Sequence, residues 1–298
     1  MGTTTARIML DVIIALLPTA VMGTVIFGLR ALLVMFSCIS ASVLSEYLFN
    51  LITKKEQTVG DLSAVVTGLI LALNLRADAP IWQCVIGAVF AIIVVKCLFG
   101  GLGTNFANPA ATGRVFLLTC FAGSLAGGAM PKIAELATSA TPLELMASGG
   151  YDKLPSMLDM FLGLRGGAIG EVCTAALIVG FIYLVIRRVI HFETPLIFVA
   201  TVFVLTLIVD NSFTVASYSV LSGGLIFGAV FMATDYSTTP ITRSGRMVFA
   251  FGAGLLTYLI RAFGAYPEGV SFAILLMNIL SPYIEKWTAK RPFGGKKV

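Results

Sequence analysis

Charge is what this sequence has least of. Only 12% of its 298 residues are Asp, Glu, Lys or Arg, against roughly a quarter in a soluble domain. Hydrophobic residues make up 58%, and the mean hydropathy is +0.96. A soluble core-and-surface arrangement is excluded, and an integral membrane protein follows. There is one histidine, His191, which excludes a histidine metal site; next to Arg187-Arg188 it reads as an interfacial residue. The five cysteines, Cys38, Cys84, Cys97, Cys120 and Cys173, are scattered through apolar surroundings at no metal-ligand spacing. They read as packing residues, so cluster or zinc ligation on this chain is excluded. Also missing are a catalytic triad, carboxylates at glycosidase spacing, a phosphate loop and a Rossmann fingerprint, so nothing here binds NAD. The net charge of +5 does not indicate nucleic acid, because the basic residues sit at the ends of apolar runs. No cleavable signal peptide is expected, since the first apolar run is long enough to span and lacks a small-residue cleavage site.

What is abundant is apolar run. A bilayer core takes about 20 apolar residues per helix. Ten candidates are read at about 8–28, 31–52, 62–75, 80–98, 110–128, 168–187, 195–209, 214–233, 246–264 and 268–284. The third and seventh are short, and short or glycine-interrupted spans point to broken helices lining a cavity. With both termini in the cytoplasm, fourteen basic residues fall inside, Lys96 and Arg114 among them, and six fall outside, including Arg165 and Arg261. The positive-inside rule favours this orientation. It puts the polar interruption of about 129–167 on the outer face and a basic tail, 285–298, inside.

The two halves echo each other. Gly60-Asp61-Leu62-Ser63 leading into Thr67-Gly68-Leu69-Ile70 is answered by Ser217-Tyr218-Ser219-Val220 leading into Gly223-Gly224-Leu225-Ile226. Lys96-Cys97-Leu98-Phe99-Gly100-Gly101 is answered by Arg261-Ala262-Phe263-Gly264-Ala265. Repeats of five spans each must be inverted, because an odd count reverses direction. Shared apolar bias is the competing explanation. The expected fold is an all-α membrane domain over 1–298, with about ten helices in two inverted repeats, about 8–128 and 168–284, and broken or re-entrant segments.

Three polar stretches and one residue class stand out. Thr138-Ser139-Ala140-Thr141 runs into Pro142-Leu143-Glu144. Thr141 as N-cap, Pro142 at the first helical position and Glu144 as reciprocal partner predict a capping box. Such a helix start also offers free N–H groups and a positive dipole end to a phosphate. Gly100-Gly101-Leu102-Gly103-Thr104-Asn105-Phe106-Ala107-Asn108-Pro109 leads into Gly113-Arg114. It reads as a re-entrant turn with Asn105 and Asn108 offering donors and acceptors at membrane depth. Arg114 could meet a phosphate, a carboxylate or lipid headgroups. The segment from Met232 through Asp235 to Thr242 is either the lining of a polar path or a loop with turn chemistry. Acidic residues near spans (Asp11, Glu46, Asp61, Glu171, Asp210, Glu268, Glu285) mostly fall at predicted ends, where interfacial exposure explains them. Asp61, opening a short span, is the best candidate for an ion pathway, with Asp235 second.

In this order the motifs resemble one family: the D subunit of the Rnf complex (ferredoxin–NAD oxidoreductase) and the B subunit of the sodium-pumping NADH–quinone oxidoreductase. The likeness runs from about residue 60 to the final span, where Tyr266-Pro267-Glu268-Gly269 also matches. The compact chain is closer to the first of these two. The resemblance implies a urea-transporter-like architecture in a prokaryotic cytoplasmic (inner) membrane. It implies FMN esterified to Thr141 through its phosphate, and a non-covalent riboflavin or other second flavin near Asn105 and Asn108. Iron–sulfur subunits, a peripheral subunit with its own threonine-linked FMN, and a flavin transferase for maturation are the implied partners. The implied activity is electron relay coupled to Na+ or H+ movement. Ser139 departs from the family's usual glycine. A solute channel or carrier of the same fold without redox function remains the alternative, and a scaffold without flavin is a third.

Overall fold

A computed structural model describes residues 4–125, 128–129, 131, 140–264 and 268–289. Thr138, Ser139, Tyr266 and Pro267 lie outside them, as does most of the basic tail. Among the described residues the chain is helical: α1 (Thr5–Phe27), α2 (Leu29–Ile52), α3 (Ser63–Leu73), α4 (Ile81–Val89), α5 (Pro109–Cys120), α6 (Ala122–Leu125), α7 (Pro142–Ala147), α8 (Met157–Leu162), α9 (Thr174–Ile186), α10 (Glu193–Asp210), α11 (Phe213–Leu221), α12 (Leu225–Phe227), α13 (Arg243–Phe263) and α14 (Val270–Thr288). α4 runs on as a π-helix over Phe90–Cys97, and α12 does so over Gly228–Met232. An antiparallel bridge between Ala129 and Gly167 stands apart from the helices.

Four helices, α1, α2, α10 and α13, are long and apolar enough to cross a bilayer. A fifth span exists if α11 and the α12 segment, bent by 61° at their junction, count as one. The other expected spans fall on α3, α4 with its continuation, α5, α9 and α14. With 11 residues, α3 is roughly 16 Å long, about half of a hydrocarbon core. Its C-terminal carbonyls therefore end inside protein. Leu73 O accepts from Gly170 N at 2.7 Å and Leu75 O from Ile169 N at 3.0 Å. Irregular backbone at this depth is tolerated only when its polar groups are met in this way. The seventh run is not the short one expected: α10 extends from Glu193 to Asp210 over 18 residues. The break falls instead in the eighth run, at Ser222–Gly224. The expected outer loop of about 129–167 is likewise not one loop, since it holds α7, α8 and the start of a buried stretch that runs from Arg165 to Cys173.

The pairing is α2 on α3 and α4, α10 on α11 and α13, α1 on α9, and α14 on α13 and α5. Small residues set these approaches, as in other membrane helix pairs. A Cβ on Gly68 would lie 2.8 Å from the Cys38 carbonyl oxygen and from the Ile39 Cα, both backbone atoms that cannot swing aside. Gly68→Val is expected to cost about 1–3 kcal/mol by overpacking. Gly60→Ala, where a Cβ meets nothing within 4 Å, is expected to be neutral. Thermal unfolding in detergent compares them, and equal melting of the two variants would show that α2 and α3 are not in this contact.

Candidate functional site

The Gly-rich turn needs its glycines, because Gly100, Gly101 and Gly103 all have φ between 91° and 109°, which side chains rarely adopt. The turn delivers Asn105 and Asn108 to a cleft of about 730 Å³, counted to its mouth. The cleft is also lined by Val12, Ser63, Lys96, Phe231, Asp235 and Tyr236, so both halves of the chain build it. Mostly apolar walls with a few convergent polar groups are the usual character of a small-molecule site.

Asn108 is committed to the fold. Its side-chain oxygen accepts from Ala111 N at 3.0 Å and caps α5. Its amide donates to Asp235 Oδ2 at 3.2 Å, and its backbone N–H donates to Asn278 Oδ1 at 3.0 Å. Asn278 in turn donates to Thr238 O at 3.1 Å. Asp235 is held further by the Ser237 backbone N–H and hydroxyl and by the Thr238 hydroxyl. Asn105 differs, because its buried side-chain oxygen has no partner among the described residues. Of the two asparagines it is the one with an acceptor to offer.

Lys96 sits at the end of an apolar run, where a cytoplasmic charge is expected, and it is a buried residue instead. Its Nζ donates to Glu46 Oε1 at 2.8 Å and to Ser63 Oγ at 2.6 Å. The Thr58 hydroxyl donates to Glu46 Oε1 at 2.6 Å, and Asn50 donates to Thr58 Oγ1 at 3.0 Å. Glu46 Oε2 is buried with no partner among the described residues. Asp61 lies in the turn Val59–Asp61 and accepts from the Ser63 N–H at 2.7 Å and from its hydroxyl. It does not line the cleft; it is tied to the cleft through Ser63. The interfacial reading of Glu46 is therefore corrected, and buried Glu171 corrects it too. Asp11 keeps a partly exposed partner in Arg187, at 3.2 Å.

Thr141 forms the expected capping box. Its backbone N–H donates to Glu144 Oε2 at 2.7 Å, and its Oγ1 accepts from Glu144 N at 3.2 Å, with Pro142 opening α7. Thr141 is buried, and its methyl group and the Gly166–Gly167 backbone both close on Gly128, where a Cβ would meet all three. Gly167 carries the chain to Glu171, whose Oε1 accepts from Ala168 N at 2.9 Å. Arg165, fully buried, donates to Glu171 O at 2.6 Å and to Val172 O at 3.3 Å. Arg261 donates to Ser219 O at 2.7 Å and to Ser222 O at 3.1 Å. A Cβ on Gly223 would touch both Arg261 Nη2 and Leu143 of α7. Of the three partners read for Arg114, a phosphate, a carboxylate or lipid headgroups, it has a carboxylate: buried, and not among the residues lining the asparagine cleft, it donates to Glu268 Oε2 at 2.8 Å. Arg114 and Arg165, like Lys96, are buried, so they do not report a membrane face. Arg114 Nη1, Arg165 Nη1 and Arg261 Nε are all buried without a partner among the described residues. An orphaned guanidinium donor is what a phosphate would satisfy, and Thr141 at the start of α7 offers the hydroxyl that a phosphoester needs, so the residues present fit a phosphorylated cofactor. A second cleft, between Leu143 and Tyr151 on one side and Tyr258, Arg261 and Phe263 on the other, adjoins α7.

The sequence offered no signal for Arg165, Arg261 or Asn278 as site residues. Their partners are set by tertiary packing, which no local pattern reports.

The chain matches the model of the NQR2, RnfD, RnfE family over residues 1–294. It is 45% identical over 296 residues to the D subunit of the Na+-translocating ferredoxin:NAD+ oxidoreductase complex of Acetobacterium woodii, covering 99% of this chain and 92% of that one. It is 38% identical to the D subunit of the proton-translocating ferredoxin:NAD+ oxidoreductase complex of Clostridium ljungdahlii, covering 98% and 92%. It is 36% identical to the D subunit of the ion-translocating oxidoreductase complex of Stutzerimonas stutzeri, covering 97% and 92%. Matched by the family model over residues 1–294 and by relatives at 36–45% identity, this chain belongs to the NQR2, RnfD, RnfE family.

Proposed function

We propose that this protein is the flavin-carrying membrane subunit of an ion-translocating ferredoxin:NAD+ oxidoreductase, the Rnf complex. It relays electrons through FMN esterified to Thr141, coupled to transport of Na+ or H+. The observation that carries this reading is Thr141 itself. Its oxygen is fixed by a capping box at the start of α7, where the free N–H groups of a helix start favour a phosphate. Bound there, FMN supplies one- and two-electron chemistry. The chain's own part is to anchor the phosphate away from the ring and to keep water from the site.

A second, non-covalent flavin belongs in the asparagine cleft. Asn105 offers its unpartnered oxygen to the polar ring edge, while Asn108 and Asp235 hold the two halves together around it. Asp61, joined through Ser63 and Lys96 to Glu46, and Asp235 at the cleft are the polar path for the coupling ion. Asn105→Leu is expected to weaken retention of the extractable flavin by roughly tenfold, from loss of one buried acceptor, while covalent flavin stays. Full retention of both would remove the cleft as the second seat.

The architecture we propose is ten helices in two inverted repeats. Support comes from matched packing, α2 on α3 and α4 against α10 on α11 and α13. It also comes from matched cations. Lys96, ending the fourth segment of the first half, reaches back to Ser63; Arg261, ending the fourth of the second half, reaches back to Ser219. The setting is a prokaryotic inner membrane, with both termini cytoplasmic and Thr141 towards the outer face. The partners are iron–sulfur subunits, a peripheral FMN-bearing subunit and, for maturation, a flavin transferase. Intact mass with peptide mapping, after co-expression with the transferase, tests the reading. A gain of one FMN less one water on the Thr141 peptide is the expected result. Unmodified mass with active transferase would bring forward the solute-carrier reading.

A further inference from the structure

A third cleft, of about 590 Å³ counted to its mouth, shares Val189, Ile190, Thr234 and Tyr236 with the asparagine cleft. Neither flavin nor the ion path uses it. Its own lining includes His191, Thr194, Thr239 and Arg246, and no acidic residue. Two long spans begin here: α10 at Glu193 and α13 at Arg243. Arg243 Nη2 bonds Glu193 Oε1 at 2.6 Å, which holds the two starts side by side. The cleft therefore lies at the ends of both spans, at the level of lipid headgroups.

The starts of helices favour anions. Thr242 caps α13 by accepting from Gly245 N, but α10 has no side-chain cap, and Thr194 of its first turn lines the cleft. Arg246, in the first turn of α13, is the second and independent observation. Its Nη1 donates to Ile241 O at 2.6 Å, while its Nε is buried with no partner among the described residues. Glu193, the acid beside Thr194, is outside the lining; its Oε2 is also buried without a described partner. The lining thus offers a guanidinium, an imidazole and hydroxyls, which is a donor set for phosphate oxygens. Ile241 of the lining, Phe192 beside His191 and Met247 beside Arg246 are exposed apolar side chains.

We infer that this cleft binds the phosphate of an anionic phospholipid. Basic pockets between membrane helices at headgroup depth take such groups. The acyl chains lie over Phe192, Ile241 and Met247. Free inorganic phosphate has the same head chemistry but no use for that apolar rim, so the lipid is favoured.

The full chain, purified in detergent and stripped of lipid, tests this. Native mass spectrometry reads the lipid retained after addition of phosphatidylglycerol or phosphatidylcholine, and thermal unfolding is followed with each lipid and with inorganic phosphate. One phosphatidylglycerol is expected to be held in preference to phosphatidylcholine. Arg246→Gln is expected to weaken its retention roughly tenfold, the size of one charge-assisted hydrogen bond, and Arg246→Lys to recover part. Arg188→Gln removes an exposed charge outside the lining and is expected to retain lipid like wild type. Equal retention in Arg246→Gln and wild type, or equal losses in Arg246→Gln and Arg188→Gln, would overturn the site. The wild-type comparison decides even where Arg246→Gln does not fold: no preference for phosphatidylglycerol would overturn the anionic-lipid assignment. Protection by inorganic phosphate with no lipid retained would overturn it too, and leave the cleft to a soluble anion.

Discussion

Thr141→Asn is expected to abolish covalent flavin while leaving the protein folded. The substitution separates two jobs of one side chain. As an N-cap, Thr141 accepts from Glu144 N, and asparagine does this as well as threonine. As an ester carrier it must offer a hydroxyl, which asparagine lacks. Thr141→Ala loses both, and is expected to show the same loss of flavin with about 1 kcal/mol of added destabilisation from the missing cap. Thr141→Ser keeps both and should retain a fluorescent band. The measurement is in-gel flavin fluorescence with intact mass, beside a melting curve for each variant. A full-strength band in Thr141→Asn would place the flavin elsewhere and end the proposal for this residue. Because Thr141 is buried with its methyl group against Gly128, the neighbouring backbone must open to admit a flavin transferase. Attachment is therefore expected to precede, or to be slowed by, assembly with other subunits.

The largest stability change is expected at Lys96. Lys96 and Glu46 each expose 2% of their side chains and meet at 2.8 Å. Removing one partner leaves the other charged and dry, which typically costs about 3–5 kcal/mol. Lys96→Met alone should therefore melt early or fail to accumulate. The double variant Lys96→Met with Glu46→Leu removes both charges at similar volume, and is expected to recover most of the loss. A double-mutant cycle in detergent would measure the coupling. If Lys96→Met were harmless, the buried pair would not exist. The recovered double variant serves a second purpose: ion transport in the assembled complex should fall although the fold survives, if Asp61–Ser63–Lys96–Glu46 is the coupling path proposed above.

The Thr141 cap was legible because it is local: Thr141-Pro142-Leu143-Glu144 carries a cap, a proline at the first helical position and the reciprocal acid within three residues, and it forms. Asn108-Pro109 carries the same cap and proline, but the asparagine was read for its donors and acceptors, and its capping of α5 was missed. The apolar runs also located the helices, since helical segments lie on every one. Helix length was less legible. The third run was read as short, and α3 stops after 11 residues, but hydropathy could not put the other break at Ser222–Gly224 instead of in α10. Those ends are fixed by distant chain, as when Gly170 meets Leu73. The charged residues were the least legible. Glu46 and Lys96 stand fifty residues apart, and Arg114 and Glu268 stand 154 apart. A charge near the end of an apolar run looks interfacial until its partner is known. Asn105 and Asn108 looked equivalent in the motif, yet one is a clamp and the other has a free oxygen.

The half-length α3 has a consequence for how the protein is made. Its terminal carbonyls accept from Ile169 and Gly170, residues that leave the ribosome long after α3 itself. Until then those carbonyls have no partner in hydrocarbon, where an unmet backbone group costs several kcal/mol. The first half therefore cannot settle at its final depth by itself. Insertion must hold it in a provisional, shallower position until the stretch ending at Cys173 arrives to lock it. A nascent chain stalled before that stretch is marked by the same uncapped end for membrane quality control. Expressing the two halves as separate polypeptides should yield little of either without the other.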